Sequence, residues 1–183
     1  MKLASQNRHK LEELRAIFPE LEPLESTGWP EETGDTYEEN ARLKARFGRE
    51  LAPDDWVLGE DSGIEAAALG GAPGIHSARW APGDQAEELL ARLAGESDRR
   101  ARMVTVLVAL SPAGEELTGT GVLEGTIASE KRGETGFGYD PIFVPDGFTE
   151  TVAELGEEWK HEHSHRARAA NALSLELARA GSS

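Results

Sequence analysis

The stretch MVTVLVAL at positions 103–110, followed by SPAG at 111–114, contains the strongest strand and turn signals of this chain. Its valines at 104, 106 and 108 alternate along one face, as the inward residues of a half-buried strand do. Ser, Pro and Gly in the next four residues are typical of a tight turn, and residues 117–128 supply a returning strand. The stretch therefore predicts an antiparallel hairpin.

Further helices and strands are predicted on both sides of this hairpin. We expect strands at 2–4, 56–59 and 141–144, and helices at 9–18, 37–50, from Asp84 through Leu93, and from Ser164 to about Arg179. Thr36 and Glu39 have the spacing of a capping box at the start of the second helix. Because helices and strands mix along the chain, the sequence predicts an α/β fold with a mixed central sheet flanked by helices, and residues 1–183 form a single domain.

The composition excludes several classes of protein. The net charge of −15 argues against DNA or RNA as the main partner, since polyanions are bound by clustered Lys and Arg. The longest apolar run, 104–110, is far shorter than the roughly 20 residues that span a bilayer, and the N-terminus lacks the apolar segment of a secretion signal. With no cysteine, disulfides and thiolate metal sites are excluded. We therefore expect a cytoplasmic protein that binds neither nucleic acid nor membrane.

The first predicted strand runs directly into the sequence SQNRHK at 5–10 and then into a helix. Backbone N–H groups at such a helix N-terminus favour phosphate, and Lys10 adds a positive charge in the first turn. The alternative is that Asn7 only caps the helix. The sequence leaves both interpretations open.

Acidic side chains at two places are candidates for metal binding or proton transfer. Glu60 and Asp61 follow a predicted buried strand and precede Ser62 and a glycine, on what reads as a turn. Carboxylates placed in this way suit Mg²⁺ or a general base, whereas the alternative is a turn in which Asp61 bonds its own backbone. Glu39 likewise fits either a metal ligand or the capping box alone.

The segment GETGFGYDP at 133–141 combines closely spaced glycines with two aromatic residues. Glycines let the backbone approach a ligand, and aromatic rings can stack on a nucleotide base. The alternative is a hairpin tip in which Phe137 fills the core.

The residues His161-Glu162-His163-Ser164-His165 fit the His-Glu-x-x-His pattern of zinc peptidases. That chemistry requires His161 and His165 on one helix, one turn apart. Because Ser164 is predicted to cap a helix that begins after it, the two histidines would not share a face, and a zinc site is disfavoured.

In their order and spacing, these segments resemble the inosine triphosphate pyrophosphatase family. The resemblance covers nearly the whole chain. It is carried by residues 7–10, 32–41, 60–64, 71–79, 136–141, and by Lys160 followed by Ser164-His165-Arg166.

The resemblance implies a fold of two lobes with a nucleotide cleft between them, and a homodimer. It implies Mg²⁺-dependent hydrolysis, with Mn²⁺ as the alternative metal, of the purine nucleoside triphosphates ITP, dITP and XTP to the monophosphate and pyrophosphate. Asp61 would accept the proton, and the metal would be bound by Glu39 and Asp61, with Glu60 as a further candidate. The substrate would be bound by Ser5, Gln6, Asn7, Arg8, His9, Lys10, Ser62, Phe137, Gly138, Tyr139, Asp140, Lys160, His165 and Arg166.

The chain departs from the family pattern at several positions. Glu60 stands where a second Asp is usual, and His76 stands where Tyr is common. We have no functional account of Trp159, His161 and His163. Two other functions are kept as alternatives, a nucleotide-binding module without turnover and a zinc hydrolase using His161 and His165.

Overall fold

The computed structural model describes residues 1–181, and a six-stranded sheet lies at its centre. The strands are β1 (Lys2–Ala4), β2 (Glu22–Pro23), β3 (Val57–Ala66), β4 (Arg100–Leu110), β5 (Glu116–Ile127) and β6 (Phe143–Pro145). Their order in the sheet is β2-β1-β3-β4-β5-β6. β1 runs parallel to β2 and β3, whereas β6 runs antiparallel to β5. The predicted mixed sheet is therefore confirmed.

The predicted hairpin is formed by β4 and β5, which are neighbours in the sheet. In the turn that joins them, Ser111 N–H donates to Glu115 O at 2.9 Å and Gly114 N–H donates to Ser111 O at 3.0 Å. Strands joined by so short a turn run antiparallel. β4 begins at Arg100, three residues before the predicted start.

Within the described residues 1–181, five α-helices accompany the sheet: α1 (Arg8–Arg15), α2 (Tyr37–Leu51), α3 (Gln85–Arg92), α4 (Val152–His163) and α5 (His165–Ala180). The side chains of Asn7, Thr36, Asp84 and Thr151 accept backbone N–H groups at the starts of the first four. These short polar residues satisfy donors that a helix start leaves unpaired, and so they fix where each helix begins.

Three sequence expectations need correction. The strand predicted at 56–59 continues to Ala66, so Glu60, Asp61 and Ser62 lie within β3 and not on a turn. The strand predicted at 141–144 starts at Phe143, because residues 140–142 form a 3₁₀ turn with proline in its first turn. Helix α4 was not predicted, since a glycine interrupts the helical pattern of its sequence. In the structure this residue, Gly156, has a non-helical backbone with a φ of 87°.

The chain divides into two compact units. The first unit comprises residues 1–61, 105–121 and 165–181, and the second comprises 62–104 and 122–164. Each unit has its own buried apolar cluster.

In the first unit, helices cover both faces of the sheet. Leu107 and Ala109 of β4 pack in one cluster with residues of α1 and α5, including Leu14 and Leu173. The alternate residues of β4, such as Val108, pack in another cluster with α2. This period of two is what the alternating valines predicted.

In the second unit, one cluster joins the sheet to α3 and α4 through Ile64, Met103, Leu89 and Val152. Tyr139 and Phe143 are buried in the same cluster. The loop that leads to β6 is therefore anchored to the core of this unit.

Glycines allow two helices to lie directly on strand backbones in the first unit. A methyl group at Gly59 of β3 would overlap the carbonyl oxygen of Ala41 in α2 and come within 2.6 Å of Ala45 N. A methyl group at Gly121 of β5 would overlap His165 O in α5. Glycine at these two positions therefore sets the distance between helix and sheet.

None of the helices in residues 1–181 has the length and apolar character that crossing a membrane requires.

Candidate functional site

Two neighbouring carboxylates of β3 are directed to different partners. Glu60 is bonded by Lys10 of α1 and Arg166 of α5, whereas Asp61 is bonded by side chains of α2. Successive strand residues point to opposite faces, which explains the divergence. The continuation of β3 through these acids thus gives each one a separate set of cations.

Asp61 lies almost fully buried, with 4% of its surface exposed. Lys44 Nζ donates to its Oδ1 at 2.9 Å, and Asn40 Nδ2 donates to its Oδ2 at 3.4 Å. Burial raises the pKa of Asp61 above the ordinary value, although the neighbouring Lys44 opposes the shift. A buried carboxylate with a raised pKa is typical of a group that accepts a proton during a reaction.

Lys44 and Glu32 belong to the same cluster, and the sequence reasoning missed both as site residues. Lys44 Nζ donates to Glu32 Oε1 at 2.6 Å as well as to Asp61, so one ammonium joins two carboxylates. Burial by itself would lower the pKa of Lys44, but Asp61, Glu60 and Glu32 outweigh it and the net pKa is raised. A signal was available, because Lys44 follows Asn40 by one turn on the buried face of α2.

Glu39, which was predicted to bind the metal together with Asp61, makes the hydrogen bonds of a helix cap in this structure. Its Oε2 accepts the N–H of Asp35 at 2.7 Å, and its own N–H donates to Thr36 Oγ1 at 3.1 Å. These bonds are those of a helix cap, shifted by one residue from a regular capping box. The structure joins Asp61 to Glu32 through Lys44, and Glu39 as a metal ligand stays a prediction.

Glu60 is fully buried within a network of charges in the first unit. Lys10 Nζ donates to its Oε2 at 2.5 Å, and Arg166 Nε and Nη2 donate to its Oε1 at 3.3 and 3.2 Å. Arg166 also bonds Glu13 through Nη1. Burial would raise the pKa of Glu60, but Lys10 and Arg166 outweigh it and hold the pKa well below its usual range.

The corner at residues 5–10 is organised by its own side chains. Asn7 Oδ1 accepts the N–H groups of His9 and Lys10 at 3.0 and 3.4 Å, and Ser5 Oγ accepts the N–H of Asn7 at 3.1 Å. The capping role of Asn7 is therefore confirmed. Gln6, Arg8 and His9 are exposed at the start of α1.

The segment at 136–140 forms a loop that is tied from within the second unit. Asp140 Oδ2 accepts both the N–H of Phe137 at 2.8 Å and the ammonium of Lys160 at 2.6 Å. Lys160 Nζ also lies 4.3 Å from the centroid of the Phe137 ring. Gly136 and Gly138 supply the left-handed backbone, with φ of 76° and 62°.

Tyr139, rather than Phe137, is the aromatic residue of this loop that fills the core. Its hydroxyl donates to Ser77 O at 2.9 Å, and burial raises its pKa above the ordinary value. Phe137 is only half-buried. The ring that remains partly accessible is thus the one that lies against the Lys160 ammonium.

The histidine pattern at 161–165 does not form a helical zinc motif. α4 ends at His163, Ser164 has extended φ and ψ of −62° and 162°, and α5 begins at His165. His161 and His165 therefore lie on different helices, as the predicted cap at Ser164 required. Across residues 1–181 there is no group of three or more Asp, Glu or His side chains that could hold a metal ion.

The Asp61 cluster nevertheless has the oxygen donors of a divalent-ion site. Mg²⁺ is usually bound by one or two carboxylates, together with waters and substrate phosphates. Asp61 and Glu32 already share one cation, the Lys44 ammonium, so their oxygens converge on a single positive centre. The oxygen donors are of the hard type that Mg²⁺ and Mn²⁺ prefer.

Comparison with known proteins matches the chain to the model of the Ham1 family over residues 1–175. A protein of Symbiobacterium thermophilum named dITP/XTP pyrophosphatase is 48% identical over 179 residues, which is 91% of this chain and 89% of the relative. A protein of Bdellovibrio bacteriovorus with the same name is 41% identical over 93% of this chain and 94% of the relative.

Solved structures agree with the sequence matches. The Ham1 protein of Staphylococcus aureus has a TM-score of 0.84 and 38% identity, and the match covers 100% of this chain and 98% of that chain. A HAM1 protein from Coxiella burnetii has a TM-score of 0.87 and 37% identity, with 97% and 98% covered.

Proposed function

Since this chain belongs to the Ham1 family, we propose that it is a nucleoside triphosphate pyrophosphatase that hydrolyses ITP, dITP and XTP to the monophosphate and pyrophosphate. The names of the relatives at 48% and 41% identity support this substrate class. The observation that carries the proposal is the buried Asp61 carboxylate with its raised pKa, held beside Lys44 and Glu32. Removal of such nucleotides would cleanse the nucleotide pool.

In the proposed reaction, water attacks the α-phosphorus of the triphosphate. Asp61 takes a proton from the water, the new oxygen–phosphorus bond forms, and the bond between the α-phosphorus and the bridging oxygen breaks. Pyrophosphate carries the electron pair of the broken bond away. A carboxylate that is buried and has a raised pKa is a better proton acceptor than an ordinary surface aspartate.

A divalent ion would be held by Asp61 with Glu32, or by the pairing of Asp61 with Glu39 that the family resemblance implies, with Glu60 as a further candidate. Such an ion, Mg²⁺ or Mn²⁺, supplies charge neutralisation at phosphate oxygens, which otherwise repel a nucleophile. Glu60 is the weakest of these candidates, because Lys10 and Arg166 already bond both of its oxygens.

The phosphates are proposed to lie at the corner formed by residues 5–10. The positive end of the α1 dipole and the ammonium of Lys10 favour a phosphate at this corner, although Asn7 already accepts the N–H groups of His9 and Lys10. The Lys10 ammonium donates to Glu60, which fixes its position. An ammonium has three N–H donors, so Lys10 can bond a phosphate as well.

The nucleoside is proposed to contact Ser62, the loop at 137–140, Lys160, His165 and Arg166. Discrimination against ATP would follow from donors that bond the 6-oxo group of hypoxanthine or xanthine and are left unpaired by a 6-amino group. We propose His165 and Arg166 as these donors. Because Arg166 is also bonded by Glu13 and Glu60, a His165 substitution is the cleaner test of selectivity.

We further propose that residues 1–183 act as one domain and that the chain forms a homodimer. The family match over residues 1–175 supports the single domain. Sedimentation of the full chain measures the oligomeric state, and a monomer at working concentration would refute the dimer.

The catalytic proposal is tested against a binding module without turnover by replacing Asp61. We expect Asp61→Asn to lower pyrophosphate release from ITP by at least about a hundredfold, since the proton acceptor and a metal ligand are lost together. The matched control is Asp54→Asn, at an exposed position before β3, which should retain wild-type activity. Unchanged turnover in Asp61→Asn would remove this residue from the mechanism.

A further inference from the structure

The Lys44 ammonium bonds both Asp61 and Glu32, the first pair of carboxylates proposed above to hold the metal. Lys44 Nζ lies 2.6 Å from Glu32 Oε1 and 2.9 Å from Asp61 Oδ1. Lys44 is 8% exposed and Asp61 is 4% exposed, so solvent screens the contact between them little, whereas Glu32 is partly exposed. Asp61 and Glu32 thus already hold one cation, the Lys44 ammonium, between them.

Two further cations of the first unit, Lys10 and Arg166, bond other carboxylates. Lys10 and Arg166 bond Glu60, and Arg166 also bonds Glu13. The cation that bonds Asp61 and offsets its charge is therefore Lys44. Asn40 contributes only a neutral amide, at 3.4 Å.

A divalent ion held by Asp61 and Glu32 would draw on the same two carboxylates at a shorter distance. Mg²⁺ binds oxygen at about 2.0–2.1 Å, well inside the separation of the ammonium from its carboxylates. An ammonium and a divalent ion that lie beside the same two carboxylates also repel each other strongly where burial limits screening. Full occupation by both is therefore unfavourable.

We propose that Lys44 is a counter-cation of the metal site. In the metal-free chain its ammonium bonds Asp61 and Glu32 and stabilises their charges. When a divalent ion binds, Lys44 loses its hydrogen bond to at least one of these carboxylates. The inference rests on the proposed function in one respect, the placing of the metal at Asp61. It adds that Lys44 lowers the affinity of the free protein for metal. Metal binding and the position of the Lys44 side chain are then coupled.

The first test is Mn²⁺ binding to the full chain without nucleotide, measured by electron paramagnetic resonance of the free ion. We expect Lys44→Met to bind Mn²⁺ at least about tenfold more tightly than wild type, because a competing positive charge is gone. Lys131→Met is the matched control, since Lys131 pairs with Asp84 at the surface of the second unit, and its affinity should equal that of wild type. An equal or weaker affinity of Lys44→Met would overturn the inference.

The second test uses the wild-type chain and does not depend on how well the variant folds. A crystal structure with Mn²⁺ bound should show Lys44 Nζ beyond hydrogen-bonding distance of Asp61, Glu32 or both. An ammonium still bonded to both carboxylates beside the ion would refute the competition.

These outcomes are separate from those of the proposed function. Pyrophosphate release from ITP with no difference in Mn²⁺ affinity between Lys44→Met and wild type would leave the function intact and overturn only the counter-cation. Failure of both proteins to bind Mn²⁺ would overturn the metal position and the counter-cation together. Tighter Mn²⁺ binding by Lys44→Met, together with a wild-type chain that does not hydrolyse ITP, would support the inference and refute the proposed function.

Discussion

Glu60 and Asp61 are adjacent carboxylic acids and both are buried, yet their pKa values move in opposite directions. Glu60 faces the charges of Lys10 and Arg166, which outweigh its burial. Asp61 is affected most by burial, with Lys44 as its opposing cation. The opposite shifts agree with the proposed roles, in which Glu60 holds cations in place and Asp61 accepts a proton.

The lowered pKa of Glu60 predicts how stability depends on pH. A carboxyl whose pKa is lower in the folded chain contributes stability above its unfolded pKa of about 4.3 and loses it as the pH falls further. We expect Glu60→Gln to lower the free energy of unfolding by about 3 kcal/mol at pH 7, because buried cations lose their partner. The difference from wild type should shrink as the pH falls from 5 to about 3.

Urea unfolding of both proteins across this pH range measures the difference directly. Glu12→Gln is the control. Glu12 is exposed and its contact with the exposed His9 is long, at 3.7 Å, so the variant should unfold at the same urea concentration as wild type. A gap between wild type and Glu60→Gln that stays constant down to pH 3 would contradict the account of Glu60.

The buried pair of Lys160 and Asp140 makes a second prediction at this scale. Lys160 is 2% exposed and Asp140 is 3% exposed, so removal of the ammonium leaves a buried carboxylate without its cation. We expect Lys160→Met to lower the free energy of unfolding by about 3 kcal/mol. Lys160→Met combined with Asp140→Asn should recover part of that loss, because the uncompensated charge is also removed.

Thermal unfolding of the two single variants and the double variant forms the cycle that tests this pair. Strictly additive losses in the double variant would show that Lys160 and Asp140 are not coupled. The cycle would then remove the reason for the tied loop at 137–140.

Among the elements, strand β3 decides how the acids are presented. The sequence predicted a strand that ends before Glu60, because two charged residues are rarely found inside a buried strand. The structure continues the strand to Ala66, since each acid finds cations on its own face. Those cations come from α1, α2 and α5, which are distant in sequence, so periodicity could not reveal them.

Other elements followed from local signals. The hairpin of β4 and β5 and the starts of α1, α2, α3 and α5 were predicted from turn and capping residues, which act within a few positions of themselves. The candidate residues Asp61, Lys10 and Asp140 were also selected in advance. Lys44 and Glu32 were not, because their pairing with Asp61 joins a helix, a loop and a strand.

Close contact between helix and strand gives a prediction about Gly121. A methyl group there would overlap the backbone of α5 at His165 and lie against Ala169 N and Arg168. We expect Gly121→Ala to lower the free energy of unfolding by about 2 kcal/mol and to shift the melting temperature by roughly 4–8 °C. Displacement of α5 should also weaken ITP hydrolysis, since α5 carries His165 and Arg166.

Gly28→Ala is the matched control for this substitution. Nothing lies within 4 Å of a methyl group at Gly28, and its backbone is outside the left-handed region. The control should melt within about 2 °C of wild type. A Gly121→Ala protein as stable as the control would show that α5 does not depend on this contact.

At the scale of the whole molecule, a net charge of −15 has to be reconciled with a substrate that is itself a polyanion. The chain has only five lysines, and three of them, Lys10, Lys44 and Lys160, are bonded to carboxylates of the candidate site residues. The lysines are therefore concentrated where the proposed function requires them. Local placement, and not net charge, makes triphosphate binding feasible.

The most direct test of the central claim is pyrophosphate release by the full chain from ITP, dITP, XTP, ATP, GTP, CTP and UTP, with Mg²⁺ and with a chelator. We predict release from ITP, dITP and XTP that is at least about a hundredfold faster, as kcat/KM, than from ATP and GTP. We also predict that chelation abolishes it. Equal rates with ATP and ITP, or release of orthophosphate instead of pyrophosphate, would contradict the account.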